Sequence, residues 1–269
     1  MQGLPRCARL SLLAIVALAA PAAARAAPPP PSVVAAIDLS QPFATRSGWR
    51  FTATQGPSVD DPLGLSGDKA PGEVDLCLRR DDSGPCDPQL QTALNGASDD
   101  VFARPHYLNK AEVAHGRAAR PVLLVQTASL HSGDGDQLVF TQALVYLRGS
   151  ERFVRAYGHA TGANNNQEVR FIADGPLQGD IISVDPTGNA PFGFWVSVNA
   201  LPSSASAYRE VLRYRSATRY GDGNPLAVID SEMPNIERRL GLWRPGSPLP
   251  LPAGACPAPH LIHAELWCR

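Results

Sequence analysis

Short apolar segments recur along most of the chain, and glycine, proline, aspartate or asparagine residues separate them. Apolar and polar positions alternate within several of these segments, which is typical of strands with one buried face. The pattern predicts strands at 33–39, 49–54, 73–78, 122–130, 138–147, 152–159, 169–173, 181–184, 192–198 and 209–220. Recurrent strands joined by turn residues indicate a mainly β protein built of sandwich-type antiparallel sheets.

Two segments carry helix signals instead. In 87–96 an aspartate precedes a proline and a glycine closes the segment, so the capping residues predict a short helix. In 231–241 apolar residues recur at helical spacing, which predicts a second one. The stretch 244–259 contains six prolines, so we expect it to be irregular.

The first residues have the pattern of an export signal. Arg6 and Arg9 precede an unbroken apolar run over 10–20, and a small-x-small ending follows, which predicts a signal peptide over 1–26. The run is shorter than the roughly 20 residues that cross a bilayer, and no second such span follows, so we expect no transmembrane segment after cleavage. Proline-rich residues 27–32 predict an extended spacer.

The organisation after the spacer leaves two alternatives. A polar stretch over 96–120 shows little strand pattern and favours a boundary between an N-terminal β-rich part, 33–100, and a C-terminal β-rich part, 120–269. The alternative is one continuous domain over 33–269.

Charge and cysteine content indicate which partners and which cellular compartment suit this chain. Cleavage would remove Cys7 and three arginines and leave 21 basic and 25 acidic residues, which gives no support for nucleic-acid binding. The four remaining cysteines are Cys77, Cys86, Cys256 and Cys268, and an even number in an exported chain predicts disulfides. Three connectivities are possible. We expect the two local pairs, Cys77–Cys86 and Cys256–Cys268, because each is close in sequence and bounded by turn residues.

Two similar loops, in which glycine alternates with aspartate or asparagine, supply candidate metal ligands, and we call them the glycine-paced loops. The stretch LHSGDGDQL contains Asp134 and Asp136, and a loop 88 residues later contains Asp222 and Asn224. Calcium prefers several oxygen ligands, so a cation site is one hypothesis. The other is that both loops are plain turns that require positive φ. We expect no cofactor and keep calcium as the alternative.

The segment 208–220 has the most regular pattern of the chain. Alternation places four arginines on one face of the predicted strand: Arg209, Arg213, Arg215 and Arg219. Such a row suits an anionic ligand, or a solvated face paired with acids of a neighbouring strand. Trp195 lies on the opposite face from the phenylalanines beside it, so an exposed ring for sugar stacking is a further candidate.

Candidates for catalysis are few. No nucleophile elbow, Walker A loop or dinucleotide fingerprint occurs. Acid–base pairs leave no short signature, so four carboxylates remain candidates for a hydrolase: Asp185, Asp230, Glu232 and Glu265. Each is also typical of a cap or an ion-pair partner.

These patterns together predict an exported protein of the bacterial envelope, periplasmic or secreted. Arginine almost replaces lysine, which is typical of a bacterial gene rich in GC. We predict a non-catalytic binding or structural β module whose partner is an anionic glycan or another envelope component. The alternatives are an exported hydrolase acting on glycan or envelope polymer, and a cation-stabilised β domain that uses the two loops. No motif is specific enough to indicate a family.

Overall fold

The computed structural model describes residues 29–61, 64, 68–81, 83–95, 104–132, 136–162, 166–188, 193–252 and 254–269. The predicted signal peptide and Asp134 of the first glycine-paced loop lie outside these residues. Within these ranges no helix has both the length and the apolar character that a membrane crossing requires.

Strands dominate the described residues, and helices are few and short. The strands are β1 (Ser32–Asp38), β2 (Trp49–Gln55), β3 (Val59–Asp60), β4 (Lys69–Ala70), β5 (Val74–Arg80), β6 (Tyr107–His115), β7 (Pro121–Ala128), β8 (Leu138–Leu147), β9 (Arg152–Gly162), β10 (Glu168–Phe171), β11 (Ile181–Pro186), β12 (Phe194–Ala200), β13 (Arg209–Arg215), β14 (Pro259–Ile262) and β15 (Glu265–Cys268). The helices are α1 (Ser40–Phe43), α2 (Pro88–Leu94), α3 (Val228–Arg239) and a 3₁₀ turn, Arg117–Ala119.

The first sheet has the strand order β1-β2-β5 and pairs antiparallel throughout. Alternation along β2 and β5 directs Phe51, Leu76 and Leu78 to one side, where all three are fully buried. Leu90 and Leu94 of α2 join the same cluster. The face of this sheet that carries these residues is therefore the one that packs against the rest of the protein.

The second sheet has the strand order β6-β7-β8-β9, and its central strands β7 and β8 are buried on both faces. Leu123 and Val125 of β7 pack with the first sheet, whereas Val122 and Leu124 pack on the opposite side. The same division continues along β8, which explains its nearly unbroken apolar sequence, LVFTQALVYL. The second sheet is therefore the middle layer of the fold.

The third sheet, β10-β11-β12-β13, covers the far side of the second. Ile181 of β11 packs toward the second sheet, while Ile182 and Val184 pack against α3. The hairpin β14–β15 lies on α3, where the Ser231 hydroxyl donates to the Leu266 carbonyl at 2.8 Å. The layers thus run from the first sheet through the second and third to α3. This arrangement confirms a mainly β protein of antiparallel sheets with few short helices.

Both predicted helices are present. The Asp87 carboxylate accepts hydrogen bonds from the backbone N–H groups of Gln89 and Leu90 at 3.0 and 3.1 Å, so it caps α2 as its position indicated. α3 begins at Val228, before the predicted start at 231, and contains Pro234.

Both predicted disulfides are also present. Cys77 and Cys86 are bonded with a Cα–Cα distance of 5.3 Å, and Cys256 and Cys268 with one of 5.6 Å. The first joins β5 to the segment before α2, and the second fastens the last residues of β15. Local pairing was therefore the correct choice among the three connectivities.

Three sequence-based expectations were wrong. The polar stretch 96–120 contains a strand, β6, which pairs along its length with β7. The strand predicted over 209–220 ends at Arg215. The C-terminal residues, for which no strand was expected, form the hairpin β14–β15.

The core beneath the first sheet draws on both predicted parts of the chain. Leu76 of the N-terminal part and Leu144 of the C-terminal part belong to one cluster of buried side chains. The division into 33–100 and 120–269 stays a prediction.

Candidate functional site

The third sheet has one face that changes from apolar to polar across its strands. Val169, Phe171 and Ile181 of β10 and β11 pack against the second sheet. Side chains on the same face of β12 and β13 are polar or aromatic. Since adjacent strands place directly paired residues on one face, the register of the strands determines which side chains are neighbours there.

Two cross-strand rows define this polar area. In the first, Asp185 pairs with Trp195, which pairs with Arg215. In the second, Ser183 pairs with Ser197, which pairs with Arg213. We call the area the polar shelf and define it by seven residues: His159, Asp185, Trp195, Ser197, Glu210, Arg213 and Arg215.

Trp195 and Arg213 form the exposed centre of the polar shelf. Trp195 is 38% exposed, although Trp is usually a well-buried residue. The Arg213 guanidinium carbon lies 5.0 Å from the centre of the indole ring, a cation–π distance. Arg213 has no acidic partner among the described residues, so its charge is available to a ligand while the ring restricts its motion.

Two hydrogen-bonded pairs flank this centre. His159 reaches from the second sheet, and its Nε2 lies 2.9 Å from Asp185 Oδ1; each side chain is about one third exposed. The Ser197 hydroxyl donates to Glu210 Oε2 at 3.1 Å. The shelf therefore combines hydrogen-bond donors and acceptors of both charges within a small area beside an aromatic ring.

Tyr157 lies on β9 close to His159. Their rings are 6.3 Å apart, and burial, with a smaller contribution from the Asp185 charge, raises the pKa of the Tyr157 phenol to about 12. The phenol therefore stays neutral across the physiological range.

The four arginines predicted to form a row do not all lie on one face of β13 in the structure. A bulge between Val198 and Asn199 inserts an extra residue into β13, so Arg209 pairs with Ala200 on the face opposite Arg213 and Arg215. Arg219 follows the end of the strand. The expected row of four is thus wrong, because strict alternation requires an uninterrupted strand. Arg213 and Arg215 remain on the shelf with Trp195.

The predicted metal ligands are only partly described. In the second loop, Asp222 Oδ1 accepts from the backbone N–H of Asn224 at 2.8 Å, and Asn224 Nδ2 donates to the Leu266 carbonyl at 2.7 Å. Gly221 and Gly223 adopt φ of 73° and 87°, the positive values expected of this loop. In the described part of the chain, no three His, Cys, Asp or Glu residues are grouped closely enough to hold a metal. Asp136 is described but Asp134 is not, so the calcium hypothesis stays untested.

Two of the four candidate acids lie together between α3 and β15. Glu232 is fully buried and accepts hydrogen bonds from the Tyr214 phenol at 2.7 Å, the Thr218 hydroxyl at 2.8 Å and Asn235 Nδ2 at 3.1 Å. Burial and the nearby Glu232 charge raise the pKa of Glu265 to about 7. Because both Glu232 oxygens already accept bonds inside the fold, this carboxylate is not presented to a polymer.

The other two acids have basic partners. Asp185 is held by His159 on the polar shelf, and Asp230 forms a bidentate pair with Arg170 at 2.5 and 3.2 Å.

Sequence alone did not identify His159, Ser197 or Glu210 as members of the polar shelf, because their roles depend on cross-strand neighbours.

Comparison with protein-family models, curated proteins and solved structures finds no match to this chain.

Proposed function

We propose that this protein is an exported, non-catalytic binding module that recognises an acidic saccharide on the polar shelf. The observation that carries the proposal is the exposed Trp195 with Arg213 stacked against it. The two disulfides are consistent with an oxidising compartment outside the cytoplasm, as the N-terminal pattern predicts.

The chemistry of the shelf suits a sugar. C–H bonds of a pyranose ring carry small positive charges that are attracted to the negative face of an indole. Sugar hydroxyls both donate and accept hydrogen bonds, which Asp185, Glu210 and His159 can satisfy. Binding sites for such ligands combine an apolar surface with a few polar groups that fix orientation.

The charge of the shelf favours an acidic sugar over a neutral one. Asp185 and Glu210 already accept hydrogen bonds from His159 and Ser197, whereas Arg213 has no acidic partner within the described ranges. A guanidinium binds a carboxylate or sulfate through charge-assisted hydrogen bonds, and less entropy is lost because Arg213 is already ordered against Trp195.

The test compares variants of the two central residues with a control on the opposite face of the same strand. Trp195→Ala and Arg213→Gln should each weaken binding of an oligogalacturonate by about tenfold or more in calorimetry, equivalent to about 1.4 kcal/mol. Arg209→Gln should leave the affinity unchanged, because Arg209 lies on the other face of β13. A neutral malto-oligosaccharide should bind more weakly than the uronate.

Two results would contradict the proposal. The first is an equal loss of affinity in Arg209→Gln and Arg213→Gln, combined with binding of dextran sulfate that disappears when salt is added. This result would indicate unspecific attraction of polyanions. Full affinity in Trp195→Ala would exclude stacking as the basis of recognition. Near-ultraviolet circular dichroism of each variant checks that the fold is retained.

A further inference from the structure

The opposite face of the third sheet carries a cavity that the polar shelf does not involve. It has a volume of about 410 Å³ and lies between β10 and the loop after it, α3 and the proline-rich segment 249–252. Its apolar walls include Leu177, Met233 and Leu251, and its polar walls include Arg170, Asp230 and Glu237. This volume is within the range of small-molecule sites.

Glu237 is the unusual member of the lining. It is 5% exposed, and its side chain has no hydrogen bond or ion pair among the described residues. Burial raises the pKa of this carboxyl, and no neighbouring charge or hydrogen bond offsets that effect. The Glu237 oxygens still contact solvent, so the carboxylate is accessible from the cavity and can accept a charge-assisted hydrogen bond from a ligand that supplies a donor.

The charges around the cavity do not balance. Arg170 is the basic residue of the lining, and its guanidinium is already shared between Asp230 and Glu168, the latter at 2.6 Å. Asp174 and Glu237 line the cavity without a salt bridge in the described structure. The site is therefore complementary to a positive charge.

We infer that this cavity binds a small organic ammonium ion, with the apolar body against Leu177, Met233 and Leu251 and the N–H groups donating to Glu237. An apolar body gains by leaving water, at about 25 cal/mol for each Å² buried. The ammonium supplies the donors that Glu237 lacks, and charge-assisted hydrogen bonds are the stronger kind. This site is independent of the saccharide proposal, because it lies on the other face of the sheet.

Trp243 provides a reporter beside the cavity. Its indole Nε1–H donates to the Pro248 carbonyl at 2.9 Å, and Pro248 directly precedes the lining residue Leu249. Occupation of the cavity should therefore move the Trp243 indole signal in a ¹H–¹⁵N correlation spectrum.

The experiment titrates three probes of similar shape into the protein: phenethylammonium, 2-phenylethanol and 3-phenylpropionate. Phenethylammonium should shift the Trp243 signal saturably and bind about tenfold or more tightly than the neutral alcohol, and the carboxylate should not bind. Glu237→Gln should lower the affinity for the ammonium to that for the alcohol and leave the alcohol unchanged. Glu210→Gln, on the polar shelf, is the matched control and should change neither.

A second variant covers the case in which Glu237→Gln alters the fold. Leu251→Trp, in the irregular segment, should fill the cavity and abolish the response to both ammonium and alcohol. The inference would be overturned if ammonium and alcohol bound with equal affinity, or if Glu237→Gln did not change the affinity for the ammonium. It would also be overturned if no probe gave a response at about 10 mM, because any binding free energy would then be weaker than about −3 kcal/mol.

Discussion

Replacing Glu265 by glutamine should stabilise the protein at slightly alkaline pH and have little effect in mild acid. Glu265 is 7% exposed, and its pKa is raised from 4.5 to about 7, first by burial and then by the nearby charges of Glu232 and Asp222. The carboxyl therefore stays protonated in the folded state at pH values where it has ionised in the unfolded chain. Glutamine keeps the size and the neutral character of that protonated form.

The sign and size follow from linkage between protonation and folding. Below pH 4.5 the carboxyl is protonated in both states, so its contribution to stability is fully present. Between pH 4.5 and about 7 only the unfolded state releases the proton, and the free energy of unfolding falls as pH rises. A rise in pKa from 4.5 to about 7 corresponds to about 3.4 kcal/mol, and screening by solvent near this carboxyl reduces the effect to about 2–3 kcal/mol, which is lost in full above about pH 7.

Urea unfolding followed by tryptophan fluorescence measures the effect. The variant should exceed the wild-type free energy of unfolding by about 2–3 kcal/mol near pH 8 and match it near pH 4.5. The difference between the two proteins isolates Glu265 from other titrating groups. In a Glu232→Gln background the gain should shrink, since part of the repulsion is already removed.

Glu112→Gln is the control substitution, because Glu112 lies on the surface in an ion pair with Lys110 and is 46% exposed at its side chain. Its stability difference from the wild type should be small at every pH. A gain in Glu265→Gln that does not vary with pH, or a loss near pH 8, would refute this account of the acid pair.

Two further predictions concern the disulfides and the glycine-paced loops. Replacing Cys256 and Cys268 by serine should lower the free energy of unfolding by about 2–3 kcal/mol, because the bridge closes a short loop, and denaturant unfolding under otherwise equal conditions measures the loss. If Asp134, Asp136 and Asp222 hold calcium, chelation should lower the thermal midpoint by about 5 °C, and Asp134→Ala should remove that response. An unchanged midpoint with no stoichiometric metal leaves both loops as turns.

The sequence predicted those parts of the fold that local patterns determine. β8 was found from its apolar run, and α2 from the Asp87 cap and the proline after it. β6 was missed because it is an edge strand whose residues include Asn109, Lys110 and Glu112, and its polar face resembles a loop in sequence. Apolar periodicity identifies a strand only where neighbouring layers cover it.

The candidate site was less predictable than the fold. The exposure of Trp195 followed from alternation along one strand. Its neighbours did not, because they depend on the register between β11, β12 and β13 and on the bulge at Val198. A single inserted residue reverses the facing of every later side chain, and the sequence does not mark where it occurs.

The position of the second sheet between the first and third sheets has a consequence for the order in which the chain is made. The first sheet is complete in sequence by Arg80, but its apolar side is covered by residues of β7, β8 and β9, the last of them Phe153. A ribosome that releases the N-terminal strands early would leave Phe51 and Leu76 uncovered until the middle strands emerge, an interval that favours aggregation. Threading the whole chain unfolded through a membrane before any sheet forms would avoid that interval.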